Sequence, residues 1–455
     1  MSATLTEPAR GVRRDSWTRL LYLQLGAFAF FLYAFSPSIN LLKDDLHLSA
    51  GVAGLHSTSY AVGVTLGGLA APRYIRRAGG SRPALWWGLV GLSLAVGLFC
   101  AVPALAVTLP AAAVCGVFGC WLCIAVPAAL ARAHGPETGP AAITEANAVA
   151  AFVGIAAPLA VGGAAAAGIG WRAALLAVAP LSGLLYLALG RVREPERLAP
   201  DVEQVVFEAD LAGCCVTVAD AGGGVQTATR APVPAPRTAE PAPRTAELTS
   251  RIADRALAEP PTPAENTLRA LPRRFWMNQL AGVCAGAIEF CLTLWCATLL
   301  QDRAGLSAGV AATGVTAVVA GMAVGRTVGG RLALRVPIDR LIFASFAANL
   351  LGFVIFWLGS TAVPMFAGLA VAGLGVALQF PLISARGIAL SGGQAELAGA
   401  VNMFGAGIAV GTAPFALGFL SDRVGIHSAY LLLPVFIVVA VAAIAVSGAR
   451  GEAGR

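Results

Sequence analysis

Lysine is almost missing from this chain: Lys43 is the only one in 455 residues. A phosphate-cradling GxxxxGK[ST] loop needs a lysine beside its glycines, so nucleotide hydrolysis by that route is excluded. Charge of either sign is scarce, at 12% of residues, where soluble proteins carry about 25%. The net charge is +7, yet the arginines lie in short segments between apolar runs and not on one basic face. That is no nucleic-acid footprint. Period-2 alternation is absent, which argues against barrel strands. Most of the nine cysteines fall inside apolar runs. Cys120-x-x-Cys123 has a metal or redox spacing but no second pair and no histidine in the right context, so small packing residues are the better reading. No metal or cofactor is expected.

What the chain has in quantity is hydrocarbon. Hydrophobic residues make up 57%, and the mean hydropathy is +0.76. Runs of roughly 20 apolar residues cross the ~30 Å bilayer core as helices. The polar N-terminus with Arg10, Arg13 and Arg14 is followed by a run that continues past Phe35, which reads as a retained first span and not a cleaved signal. The chain also repeats itself. Leu48-Ser49-Ala50-Gly51-Val52-Ala53 recurs letter for letter as Leu306-Ser307-Ala308-Gly309-Val310-Ala311. Around it, Asp44 matches Asp302, Gly63 matches Gly321, Gly67 matches Gly325, and Arg73 matches Arg331. Gln24 matches Gln279, Arg132 matches Arg386, Asn147 matches Asn402, and Ala157-Pro158 matches Ala413-Pro414.

The pattern predicts an all-α membrane protein of twelve transmembrane helices in two pseudo-symmetric bundles of six. Spans are expected near 17–39, 49–72, 84–103, 106–131, 141–167 and 171–190, then 274–300, 309–332, 338–359, 363–385, 396–420 and 427–448. The expected layout is a tail over 1–16, a bundle over 17–190, a linker over 191–272, a second bundle over 273–448 and a tail over 449–455. An even number of spans per copy makes the repeats parallel. Arginine collects on one side, at the N-terminus and at Arg73, Arg76, Arg77, Arg82, Arg132, Arg191, Arg193, Arg273, Arg274, Arg331, Arg335, Arg340 and Arg386. That side is expected to be cytoplasmic and to carry both termini. The linker holds Pro-Ala-Pro-Arg-Thr-Ala-Glu twice in tandem, a low-complexity composition that reads as largely disordered. Val205–Val218 is apolar enough for a small ordered patch, and Cys214-Cys215 lies within it.

Gly305-Leu306-Ser307-Ala308-Gly309 fits GxSxG, the nucleophile elbow of serine hydrolases. That elbow needs a strand before the serine, and here an apolar span precedes it. The better reading is that Ser49 and Ser307 N-cap the second and eighth spans.

The segments after spans 2 and 8 carry more. The first runs from Gly67 through Arg73, Arg76 and Arg77 to Gly79, the second from Gly325 through Gly329 and Arg331 to Arg335. Glycines let helices approach, and the arginines beyond can bind helix C-termini or carboxylates. Here the chain resembles the major facilitator superfamily of secondary transporters, which carries Gly-x-Leu-Ala-Asp-Arg-x-Gly-Arg between spans 2 and 3 and a weaker echo between spans 8 and 9. Ala71 stands where the family has its aspartate, so the inter-half salt bridge of that aspartate lacks its acid. The resemblance implies two six-helix bundles around a central cavity that opens alternately to each side. Gly154-x-x-Ala157-Pro158-x-x-x-Gly162-Gly163 is similar to the Gly-Pro-x-x-Gly-Gly antiporter motif of drug exporters. Gly170-Trp171-Arg172 followed by Pro180 resembles the start of their span 6. Span 4 lacks the internal arginine those antiporters carry, so efflux is favoured only slightly over uptake.

Polar residues inside spans are costly. Glu289, mid-span 7, is the first candidate for proton coupling or solute binding, and His56 on span 2 and Arg326 on span 8 are further candidates. Gln24, Asn147, Gln379 and Asn402 are candidate cavity amides. Tyr33, Tyr60, Trp121 and Trp295 are candidate stacking aromatics. Asn349 reads as structural. The expected function is proton-coupled transport of a small organic solute across a cell membrane by alternating access, by a monomer in the lipid bilayer. Alternatives are uptake of an organic anion paired with Arg326 or His56, a membrane-embedded hydrolase using Ser307, and a sensor signalling through the linker.

Overall fold

The computed structural model describes residues 12–77, 80–195, 205–209, 216–220, 268–332, 335–392 and 394–449. The tandem Pro-rich repeat, Cys214-Cys215 and both tails' ends lie outside them. Within the linker, Val205–Ala209 and Val216–Asp220 pair as antiparallel strands β1 and β2, with Val205 opposite Asp220.

Everything else of length is helix. The first half consists of α1 (Ser16–Asp45), α2 (Ala50–Arg77), α3 (Ser81–Ala101), α4 (Leu105–Gly135), α5 (Ala142–Ala166) and α6 (Trp171–Leu189). The second consists of α7 (Arg273–Ala304), α8 (Ala308–Gly329), α9 (Ile338–Leu358), α10 (Ala362–Leu390), α11 (Ala395–Val424) and α12 (Ile426–Gly448). α1 starts where the Asp15 carboxylate accepts the Thr18 N–H at 2.8 Å, as an N-cap does. α4 and α5 are parted at Gly135, whose φ of +72° is open to glycine and strained for other residues. The expected spans fall on these helices, with α1 running several residues further than its apolar run suggested.

Eleven of the twelve are long and apolar enough to cross a membrane. α2 completes the set with a polar run, His56 through Tyr60. That run is covered by protein: His56, Ser57 and Tyr60 are buried, and Thr58 donates to the Gly411 carbonyl. α1 and α7 are the innermost of the eleven, with 89% and 83% of their apolar windows buried, against 56% or less elsewhere. The two bundles meet chiefly through α2 with α11 and α5 with α8, and α1 and α7 lie innermost between them.

An arginine ties together the helix ends of each bundle on the face that carries the termini. Arg386 of α10 donates to Asp339 of α9 at 2.7 Å, Asn278 of α7 at 3.1 Å and Ser447 of α12 at 2.7 Å. Its repeat mate Arg132 of α4 donates to Ser81 of α3 and pairs with Glu194 at 3.7 Å.

Candidate functional site: a cleft between two bundles

The innermost helices show where the molecule is open. Toward the termini face, α1 exposes Arg19 and Leu23, and α7 exposes Trp276 and Leu280. Toward the far face, α1 from Phe31 to Leu42 is buried apart from a half-exposed Ser36. Helices this central can meet solvent only through a gap between the bundles. The gap therefore opens at the termini face and closes toward the other.

The closure has definite parts. The α1–α7 crossing is bonded through Asn40, whose amide donates to the Leu294 carbonyl and whose oxygen accepts from Thr298 Oγ1 at 2.8 Å. These two are repeat mates, each four residues before the matched Asp44 and Asp302. Between α2 and α11, Asp422 accepts the N–H groups of Ala50 and Gly51, both at 2.7 Å. Between α5 and α8, Gly162 and Gly309 bring the backbones together, and Thr316 donates to the Ile155 carbonyl at 3.4 Å.

Where the gap ends, both bundles line a small cavity. Tyr33 and Ser36 come from α1, Ser57 and Tyr60 from α2, Glu289 and Thr293 from α7, and Val410 from α11. Its volume is about 20 Å³, room for roughly one water. Glu289 is 4% exposed. Thr293 Oγ1 donates to the Glu289 carbonyl at 3.0 Å, so its hydroxyl is held by the helix one turn away. Behind Tyr60 stands an aromatic wall, with Phe35 at 5.6 Å and Phe31 at 6.3 Å between ring centres.

Of the residues singled out in the sequence, the structure brings Glu289, Tyr33 and Tyr60 to this point. It places others elsewhere. His56 faces α4: its Nε2 lies 2.9 Å from Thr108 Oγ1, and its Nδ1 lies 3.0 Å from the Ala53 carbonyl. A carbonyl only accepts, so Nδ1 carries a proton, and a neutral ring is satisfied when Thr108 donates to Nε2. Trp295 is buried, donating to the Pro414 carbonyl at 2.8 Å between α7 and α11. Trp121 donates to the Gly67 carbonyl at 2.9 Å and stacks on Tyr74. Asn402 donates to Ser384 Oγ at 2.6 Å, inside the second bundle. Gln24 and Gln379 are buried, with neither amide hydrogen-bonded to a described residue, and the same holds for Asn147 Oδ1. Arg326 is half-buried on α8 and does not line the cavity.

The glycine segments pack within bundles. A Cβ on Gly67 would meet the backbone of Val117 on α4, while Cβ atoms on Gly325 and Gly329 would meet Leu374 and Leu378 on α10. Arg77 and Arg335 are exposed. The side chains of Arg73, Arg76 and Arg331 lie outside the described residues.

Ser49 caps as expected, its Oγ accepting the Val52 N–H at 3.3 Å. Ser307 stands at the N-cap of α8 without a side-chain bond to it, a correction to the reading that both serines cap. It follows helix α7 and a left-handed Gly305, so the strand that a nucleophile elbow requires is not there. Among the described residues, no three of His, Cys, Asp and Glu gather as metal ligands.

Asp422 and Asn40, which bond across the closed side, are residues that sequence reasoning missed. Asn40 had a signal, since it is a polar residue in an apolar span with a polar repeat mate. Asp422 had none, because an acid beside Arg423 in an outer segment reads as ordinary surface.

A sequence model described as Major Facilitator Superfamily matches residues 21–412. No curated protein matches the sequence. Among solved structures, the chain is similar to a bacterial homolog of the human lysosomal transporter Spinster, inward-facing and unoccupied. That similarity has a TM-score of 0.68 at 13% identity and covers 96% of this chain and 98% of the other. It is also similar to the nucleoside transporter NupG (TM-score 0.65, 12% identity, 95% and 100% covered). A D-xylose–proton symporter gives a TM-score of 0.63 at 12% identity, with 95% and 97% covered.

Proposed function

Because the chain belongs to the major facilitator superfamily, we propose that it is a secondary active transporter. It moves a small organic solute out of the cell by alternating access, in exchange for protons carried by Glu289. The observation that carries this reading is the position of Glu289. It is a buried carboxylate at the blind end of the gap, on a wall to which both bundles contribute.

A charge in such a place is costly unless its surroundings answer it. When the bundles rearrange, Tyr33, Ser36, Ser57 and Tyr60 move relative to Glu289, and its affinity for a proton changes with them. That difference between states is what couples a proton to a solute. Tyr33 and Tyr60 offer aromatic faces and hydroxyls to the solute.

The face carrying the termini is the cytoplasmic one by its arginines, and the membrane is the cell membrane. Residues 191–272 then form a cytoplasmic linker between bundles at 17–190 and 273–448. The outward direction rests on the Gly154–Gly163 segment of α5, whose Gly162 packs on Gly309 at the closed contact.

The test is Glu289→Gln in proteoliposomes, with a solute first found by a thermal-shift screen of the purified protein. Solute accumulation driven by a pH gradient is expected to be lost, while solute–solute exchange continues. Gradient-driven accumulation at the parent rate in Glu289→Gln would overturn the assignment.

A further inference from the structure

We infer that Asp422 is a latch that holds the far face closed and sets how often it opens. The inference rests on the alternating-access reading above.

The closed face is built from two helix contacts that the internal repeat makes equivalent: α2 with α11, and α5 with α8. The leading residues are the same in both, since Ala50-Gly51 and Ala308-Gly309 belong to the two copies of the repeated hexapeptide. Their partners differ. At α2, both oxygens of Asp422 are engaged at 2.7 Å, one by the Ala50 N–H and one by the Gly51 N–H. At α8, the backbone of Gly309 faces Ala166 and Gly162 on α5, and Ser307 supplies no cap bond.

The geometry suits a contact that must both hold and release. A helix N-terminus presents N–H groups and a partial positive charge, and a carboxylate there makes short, charge-assisted bonds. The carboxylate belongs to one bundle and the helix to the other. Arg423, next along α11, lies over the Phe419 ring at 4.1 Å. Below the carboxylate, a Cβ on Gly51 would stand 3.0 Å from Asp422 Oδ2, and one on Gly54 would stand 3.0 Å from Phe415 Cα. The approach that brings Asp422 into reach therefore depends on small residues at both positions. Further in, Thr58 donates to the Gly411 carbonyl. Opening the far face must separate these parts, and Asp422 then exchanges two N–H donors for water. Among the described residues, no charged bond spans the repeat-related contact.

The experiment measures distances across the far face in the full-length protein in lipid nanodiscs. Spin labels are placed by Ala104→Cys and Ser360→Cys, on exposed far-face loops of opposite bundles. The cysteines of the helices are buried, and Cys214 and Cys215 are changed to serine. Asp422→Asn is expected to raise the ratio of long to short distances by about fivefold, the size of one favourable charge–dipole contact. Asp422→Glu, which keeps the charge, is expected to return most of that shift. Gly54→Leu, which wedges the same contact apart, is the comparison. If Gly54→Leu lengthens the distances and Asp422→Asn leaves them unchanged, the latch is overturned. If neither changes them, the contact does not open and the proposal falls as well. Solute movement in proteoliposomes is read separately, so failure of the transport reading is distinguishable from failure of the latch.

Discussion

At the termini face of the first bundle, the corner where α1, α4 and α5 meet is laced with polar bonds. Arg14 donates twice to Glu145, at 2.9 Å each, and Tyr22 adds a third bond at 3.2 Å. Thr18 and His134 Nε2 are 2.8 Å apart. Hydrogen bonding to Glu145 raises the Arg14 pKa. In the second bundle, the described residues at the repeat-related corner include a hydrocarbon cluster. Leu271, Phe275 and Ala398 are buried there, with Ile388, Leu390, Leu397 and Val401 packed against them. The substitutions line up: Ala400 replaces Glu145, Ile388 replaces His134, and Met277 replaces Tyr22. The architecture of the corner specifies that three helices be joined there, and does not specify the chemistry. Hydrocarbon burial has no charge for salt to screen, whereas a surface ion pair is screened by it. The two bundles are therefore expected to respond differently to salt at the same place in the fold.

Four changes test this contrast, in order of effect. Phe275→Ala opens a cavity in the apolar corner and is expected to cost about 3 kcal/mol. It is read as a lower thermal unfolding midpoint in detergent, equally at low and high salt. Next comes the pair of bracing arginines. The Arg386 side chain is 9% exposed and that of Arg132 is 43%. Arg386→Ala strands the buried Asn278 and Ser447 and is expected to cost about 2–3 kcal/mol. Arg132→Ala is expected to cost less than about 1 kcal/mol. Equal losses would mean that the braces do equivalent jobs despite their different burial. Arg14→Ala is the smallest. Its side chain is 67% exposed, so the unfolding midpoint should move slightly at low salt. That shift should vanish near 1 M salt, where the screening length is about 3 Å. A shift that survives high salt would remove the contrast between the corners.

The helical body and its doubling were legible because both are written in composition and order. Long apolar runs admit few structures in lipid, and a hexapeptide repeated at a matching place in each half fixes the symmetry. The interior of the site was legible only in part. Glu289 stood out because a carboxylate in an apolar span demands an explanation, and the structure places it at the end of the gap. The same logic picked His56, Trp121 and Trp295, which the structure gives to packing between neighbouring helices. The reason is rotational. A span that is apolar on all sides does not declare which side faces the gap, so a polar or aromatic residue on it has no assignable direction. Asp422 was illegible for a different reason. Its partner is the backbone of a helix far away in sequence, and backbone N–H groups leave no letter to match.

The polar run in α2 has a consequence for biosynthesis. Histidine, two serines and a threonine in succession, followed by a tyrosine, weaken the transfer of this helix into hydrocarbon. They are tolerated because Thr108, Gly411 and the aromatic wall answer them once the neighbouring helices are in place. α2 thus draws its residence in the bilayer from its companions, and the partner of Thr58 is more than three hundred residues further along the chain. A nascent chain must hold α2 in the membrane well before the helix that completes its surroundings has been made.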